Sequence, residues 1–319
     1  RVLAERRGGD DPIAMAQAHN ALGVHYTGTQ DYRSAYAEYI ATERLLRGSL
    51  GVVHPHTITV RANLSYASAS MGQYADAERH ARIALEATRR GGLGPLREAN
   101  LLQALGQAHF YQRRLAEAET HLGEALAIYD RDLGPASHQS LGVVHSLTVI
   151  TGEQRDYEAA LHFARRVEAH ERSRGTLGTP DGLYARAQVA ALRYASGDEE
   201  AARTDLLALA DAARRITDAP VSRATILGQA GHVLVHSGDS EAAEPLLREA
   251  LTLQRETHAE DSFNVRHARF SLGIALAALG RLDEARPHLE AAQGHGLTRA
   301  YPVAVGPLDA EVDRLLAGG

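Results

Sequence analysis

A phrase that returns every 41 or 42 residues constrains this chain more than any other feature. A small residue set in an apolar stretch recurs at Gly23, Ser65, Gly106, Thr148, Ala190, Gly231 and Gly273, at intervals of 42, 41, 42, 42, 41 and 42 residues by subtraction. Twelve residues after each stands an alanine without exception: Ala35, Ala77, Ala118, Ala160, Ala202, Ala243 and Ala285. A period held this tightly predicts an array of like units, each burying its apolar face against its neighbours, in place of domains built on separate central cores.

Each unit reads as two helices. Four and seven residues beyond the alanines the positions are again mostly apolar or small, as at Leu122 and Ala125 or Leu247 and Ala250, which is the stripe of an amphipathic helix. Gly72, Gly197, Gly238 and Gly280 mark hinges where a helix can close in left-handed geometry. Leu50 to Pro55, Leu93-Gly94-Pro95, Leu133-Gly134-Pro135 and Leu177 to Pro180 end one unit and start the next. Runs of β-branched residues with period two are absent.

Leu22-Gly23-x-x-Tyr26, the Ala35/Tyr39 step, and Leu105-Gly106 with Ala118, Leu122 and Ala125 resemble the tetratricopeptide repeat family over nearly the whole chain. The period exceeds the common 34 residues, and with the Leu50-Gly51-x-x-His54-Pro55 linker it is similar to the long kinesin-light-chain subtype, which bacterial proteins also carry. The resemblance implies an all-α, right-handed superhelical α-solenoid of seven antiparallel helix pairs, at about 12–50, 55–92, 96–133, 138–175, 181–217, 221–257 and 262–295. Residues 1–11 read as the tail of a truncated upstream repeat, and 296–319 as a linker and C-terminal capping helix. Repeats four and five depart most from the pattern, with Thr148 as anchor, Arg155 at the hinge and little Leu-Gly near Tyr184 to Ala190.

In such an array the first helix of each pair lines an inner, concave face. Residues three before, one after and four after each anchor form a second stripe on the first helix, which in this family looks into the groove. None of its members carries formal charge. With adjoining positions, the candidate peptide-binding set is Asn20, Thr27, Asn63, Tyr66, Asn100, Gln103, Gln107, Phe110, Tyr111, His145, Tyr184, Tyr194, His232, His236 and Phe270. Amide, imidazole and phenol groups read peptide backbone while aromatic rings bury area. For single members, Tyr194 and Phe270 above all, the alternative is packing between repeats. Kinesin-light-chain relatives place Asn near the anchor to hold an extended peptide, and Asn20, Asn63 and Gln103 match, so repeats one to three are the expected seat.

Other chemistries find little purchase. A net charge of −6 argues against a broad nucleic-acid surface, and the apolar runs are too short to span a bilayer. With no cysteine the chain has no disulfide, thiolate zinc site or cysteine nucleophile. His54-Pro55-His56 reads as a turn device, His232 and His236 lack the Glu of a zinc-protease helix, and Gly91 to Gly94 has neither a preceding strand nor a lysine. The expectation is a non-enzymatic scaffold without cofactor or metal, cytoplasmic, binding a peptide or partner protein within a larger bacterial regulatory protein; self-association stays open. The alternative is a sensor whose ligand switches an attached effector domain.

Overall fold

The computed structural model describes residues 11–291, and the regular structure among them is entirely helical. Fourteen helices follow in pairs: α1 (Pro12–Gly28) with α2 (Tyr32–Leu50), α3 (Pro55–Ser70) with α4 (Tyr74–Gly91), α5 (Pro95–Tyr111) with α6 (Leu115–Asp132), α7 (His138–Glu153) with α8 (Tyr157–Ser173), α9 (Pro180–Ala195) with α10 (Glu199–Arg214), α11 (Pro220–His236) with α12 (Ser240–Thr257), and α13 (Phe263–Ala278) with α14 (Leu282–Glu290). The truncated upstream repeat expected before Asp11 and the capping helix expected within 296–319 lie outside the described residues. The described residues form two compact units divided between Ser146 and Leu147, each with a core of its own.

Local chemistry starts and stops these helices in register. Proline opens α1, α3, α5, α9 and α11, where a missing backbone N–H costs nothing. Asp31, Asp156 and Asp239 accept the N–H of Ser34, Ala159 and Ala242 and so cap second helices. His54 caps α3 by accepting the N–H of His56, which accounts for the His-Pro-His cluster as a turn. The third linker differs from the others: α7 begins at His138, three residues past Pro135, because a turn closes from Ser137 N to Gly134 O at 3.1 Å and the Ser137 hydroxyl then accepts from Ser140 N.

Every first helix ends the same way, whatever the residue. Seven positions after the anchor the backbone is left-handed, at Gly72, Gly197, Gly238 and Gly280 and equally at Gln30 (φ 61), Arg113 (φ 66) and Arg155 (φ 64). The next residue's N–H reaches back to the carbonyl five residues earlier, from Asp31 to Tyr26 at 2.9 Å and from Asp156 to Thr151 at 2.9 Å, the closing bond of a Schellman turn. The three non-glycine members show that this bond and the packing around it set the geometry, at a cost of roughly 1–2 kcal/mol per side chain.

The small anchors exist because the paired helices touch there. A Cβ on Gly106 would meet Leu122 Cγ at 2.6 Å and the Ala118 carbonyl at 3.2 Å; one on Gly23 would meet the Tyr39 ring at 2.5 Å, and one on Gly231 would meet Leu247 Cγ at 2.5 Å. The residue sixteen positions on therefore sets the space. Where the anchor carries a hydroxyl, the residue sixteen positions on is alanine, Ala81 for Ser65 and Ala164 for Thr148, and the Ser65 hydroxyl donates to Ala77 O at 2.8 Å, whereas Ala190 keeps Leu206. The alanines twelve positions on are all buried, at 0 or 1% exposure.

Candidate functional site

In the first unit the second stripe of the first helices stays open to solvent. Val24 and Tyr66 are 54% and 55% exposed, Gln107 is exposed, and Asn20, Thr27, Asn63, Gln103 and Phe110 are half-buried. Tyr111, at the end of α5, is 56% exposed. Each outer tyrosine is braced by the ring that opens the preceding repeat's second helix. Tyr66 meets Tyr32 edge-on at 6.1 Å, and Tyr111 stacks on Tyr74 at 4.8 Å and 11°. Tyr32 and Tyr74 share one register position, nine residues past the anchors, whereas Tyr66 and Tyr111 stand one and five residues past theirs, so one ring position is met from two places on the following first helix. Phe110 stands edge-on to Tyr111 at 5.4 Å.

The polar groups among these rings divide by what already occupies them. The Tyr129 phenol, buried in α6 and raised to about 12 by that burial, shares its one O–H between Asn100 Oδ1 at 2.6 Å and Gln103 Oε1 at 3.1 Å. Both amides are thereby turned with their NH₂ groups still available to an acceptor. Thr27 is spent internally, donating to Gly23 O at 2.9 Å and lying 3.0 Å from the Tyr39 hydroxyl. Asn20, Asn63 and Gln107 make no side-chain hydrogen bond among the described residues.

Beneath this face the junction of repeats two and three is polar and tightly paired. Glu78 accepts from Gln112 at 3.0 Å and Arg114 at 2.9 Å and lies 3.3 Å from His109. Burial alone would raise its pKa, but these hydrogen bonds outweigh it and hold the carboxyl at about 2. The network fixes α4 against α5 and α6, and with them Tyr74 and Tyr111.

The later predicted residues are placed differently. His145 is exposed. Tyr184 is half-buried, its phenol raised by burial and bonded by Gln188 at 2.6 Å. Tyr194, His232 and Phe270 retain 9, 5 and 0% exposure, so a ligand does not reach them in this structure. The physical reason is that α9 packs directly on α11 and α11 on α13, which closes over the stripe that repeats one to three leave open. Tyr194 and Phe270 join the core of the second unit. His232 instead bonds Ser271 at 3.2 Å in a cluster with His236 and His267, at ring distances of 4.6 and 5.4 Å. Burial, then the neighbouring His236, lowers His267 to about 4. Among the described residues no group of three or more His, Cys, Asp or Glu is arranged to hold a metal ion, and no helix is long and apolar enough to cross a membrane.

Residues 222–293 and 99–139 each match a family model described as tetratricopeptide repeat. No curated protein matches the chain. Similar solved structures include the apo form of RapI, 12% identical, with 95% of this chain and 99% of that one covered at a TM-score of 0.67. NprR in complex with its cognate peptide NprX is 14% identical, with 97% and 84% covered at 0.58. A Podosopora anserina putative kinesin light chain with nearly identical TPR-like repeats is 16% identical, with 64% and 97% covered at 0.56. At such identities the likeness is one of fold.

Proposed function

We propose that this chain, a member of the tetratricopeptide repeat family, is a non-catalytic scaffold that holds an extended peptide or partner segment along the first helices of repeats one to three. The observation that carries the reading is the doubled tyrosine pair, Tyr32/Tyr66 and Tyr74/Tyr111, with the amides of Asn63, Gln103 and Gln107 beside it. Exposed rings held rigid by a neighbour supply contact area at little entropic cost, and the amides supply donors and acceptors for peptide backbone. No formal charge stands among these residues, so shape and backbone hydrogen bonding set the preference. The fold shared with NprR, solved with a cognate peptide, supports the same class of partner.

The test is selection of binders from a displayed random-peptide library on the full chain, followed by anisotropy titration of the winners. Tyr66→Glu, Gln107→Glu and Phe110→Glu together place charge at exposed or half-buried positions and should abolish binding of the selected peptides. Unchanged affinity in that triple variant refutes the face assignment. A second reading, a sensor in which a signalling peptide switches an attached effector domain, is favoured by the likeness to the quorum sensor NprR. It requires a change in small-angle scattering when the selected peptide is added; identical free and bound profiles count against it.

A further inference from the structure

The second unit contains a cavity of about 650 Å³ between α8, α9 and α10, within the usual range for small-molecule sites. Its residues on α9 are Arg186, Val189, Ala190 and Arg193. At about 100° per residue these point roughly a third of a turn away from Ala187, Ala191 and Tyr194, so this is a different face from the peptide stripe. Arg165, Glu168 and Arg172 from α8 and Asp205 and Leu209 from α10 form its sides, with Leu177 and Asp198 from the linkers that flank α9.

The repeat register shows what is unusual here. Arg186 stands four residues before its anchor. At that position in other repeats the side chain is either buried and apolar, as in Leu102, Val144 and Leu227, or basic with a glutamate to match. His19 meets Glu38 at 2.6 Å, Arg61 meets Glu43 at 2.6 Å, and Arg269 pairs with Glu260. Arg186 has no such partner among the described residues. Glu168, which stands in register with Glu43, bonds Arg172 at 2.6 Å instead. Arg193 is occupied by Asp198 and Asp205, each at 2.6 Å. Arg165, like Arg186, has neither an ion pair nor a hydrogen bond. Four arginines against three carboxylates thus leave the lining one positive charge in excess, and the guanidinium groups without a partner of their own are those of the exposed Arg165 and the half-buried Arg186, beside partly apolar walls.

We propose that this cavity is a binding site for a small organic anion, with Arg165 and Arg186 forking a carboxylate or phosphate group and Leu177, Val189 and Leu209 covering its apolar body. Guanidinium donors match both oxyanions bidentately. The ligand supplies at repeat five the negative charge that a glutamate supplies at repeats one, two and seven.

Isothermal titration of the full chain with phenyl phosphate, benzoate, inorganic phosphate, benzyl alcohol and benzylammonium tests the site. Saturable binding of phenyl phosphate, benzoate or both is expected, weakening with added salt, and whichever anion binds more tightly identifies the preferred head group. Arg165→Gln and Arg186→Gln should each weaken binding roughly tenfold, as loss of a charge-assisted hydrogen bond does, while Arg186→Lys recovers part of it. Both arginines lack native partners, so the variants should keep the parent circular dichroism. Absence of saturable binding by either organic anion overturns the proposal. So does binding of benzyl alcohol or inorganic phosphate as tight as that of the organic anions, or undiminished binding in the Arg165→Gln/Arg186→Gln double variant. A variant with altered circular dichroism transfers the decision to Arg186→Lys, whose failure to bind in a folded state also overturns it.

Discussion

Exchanging one anchor pair for another should reveal that anchor size and partner size are matched. Gly106 and Leu122 form the contact that Ser65 and Ala81 form one repeat earlier. Gly106→Ser forces a Cβ to 2.6 Å from Leu122 Cγ, with the nearby Ala118 carbonyl at 3.2 Å limiting retreat. Overpacking of this kind costs about 1–3 kcal/mol, offset by about 0.5 kcal/mol of helix propensity. Leu122→Ala alone empties a fully buried site and costs about 2–5 kcal/mol. Midway values sum to roughly 5 kcal/mol. The double variant recreates the Ser65/Ala81 arrangement, in which the serine side chain refills part of the void and its hydroxyl can donate to Ala118 O as Ser65 donates to Ala77 O. Its loss should therefore be roughly 3 kcal/mol, leaving about 2 kcal/mol of favourable coupling. Urea unfolding followed by far-UV circular dichroism measures the four corners of the cycle. A double variant as unstable as the sum, or a Gly106→Ser that costs nothing with Leu122 present, refutes the size-matching argument.

Three further outcomes follow from the same geometry. Arg155→Gly should raise stability by about 1 kcal/mol by relieving a left-handed side chain; a thermal midpoint that stays put or falls would mean that the arginine side chain offsets its strain. Acid should destabilise the fold in two stages. His80 and His267 are lowered by burial to about 4, so between pH 6.5 and 4 the unfolded chain takes up protons the folded chain refuses, a loss of order 3 kcal/mol for each. Glu78, held near 2, contributes stability that is full above about 4.5 and fades as pH falls towards 2. Thermal melting across pH reads both stages, and a His267→Leu variant with an unchanged slope between pH 6.5 and 4 would contradict the first. Removing Glu43 as Glu43→Ala strands the buried Arg61 guanidinium between α2 and α3 and should cost about 3–5 kcal/mol, whereas Arg79→Ala, which breaks an exposed pair on one helix, should cost under about 1 kcal/mol.

The array was legible in the sequence because its determinant is a spacing: anchors and alanines twelve apart are steric requirements of helix contact, and a steric requirement leaves few residue choices. The hinges were less legible because Gln30, Arg113 and Arg155 carry no glycine, yet the backbone bond that closes the turn holds them left-handed all the same. The stripe residues are exposed or half-buried where each first helix has solvent on its far side and buried where it does not. A stripe of Ala187, Ala191 and Tyr194 or of Phe270 and Ile274 has the composition of a buried face, and that contrast with Asn20, Asn63 and Gln107 was the available signal. Tyr32 and Tyr74 carry no such signal, because each meets its ring partner in the next repeat, which periodicity within one helix does not reveal.

The seven-fold repetition also separates the two proposed sites experimentally. The tyrosine face belongs to residues before 146 and the arginine cavity to residues after 147, so each site lies within a different compact unit. Substitutions without shared partners act additively within about 0.5 kcal/mol. Peptide affinity should therefore be indifferent to Arg165→Gln and Arg186→Gln, and anion affinity indifferent to the Tyr66, Gln107 and Phe110 substitutions. Cross-effects larger than twofold, measured by titrating selected peptide with and without saturating phenyl phosphate, would show that the repeats transmit strain along the array. That outcome would turn two independent sites into a coupled pair and favour the sensor over the static scaffold.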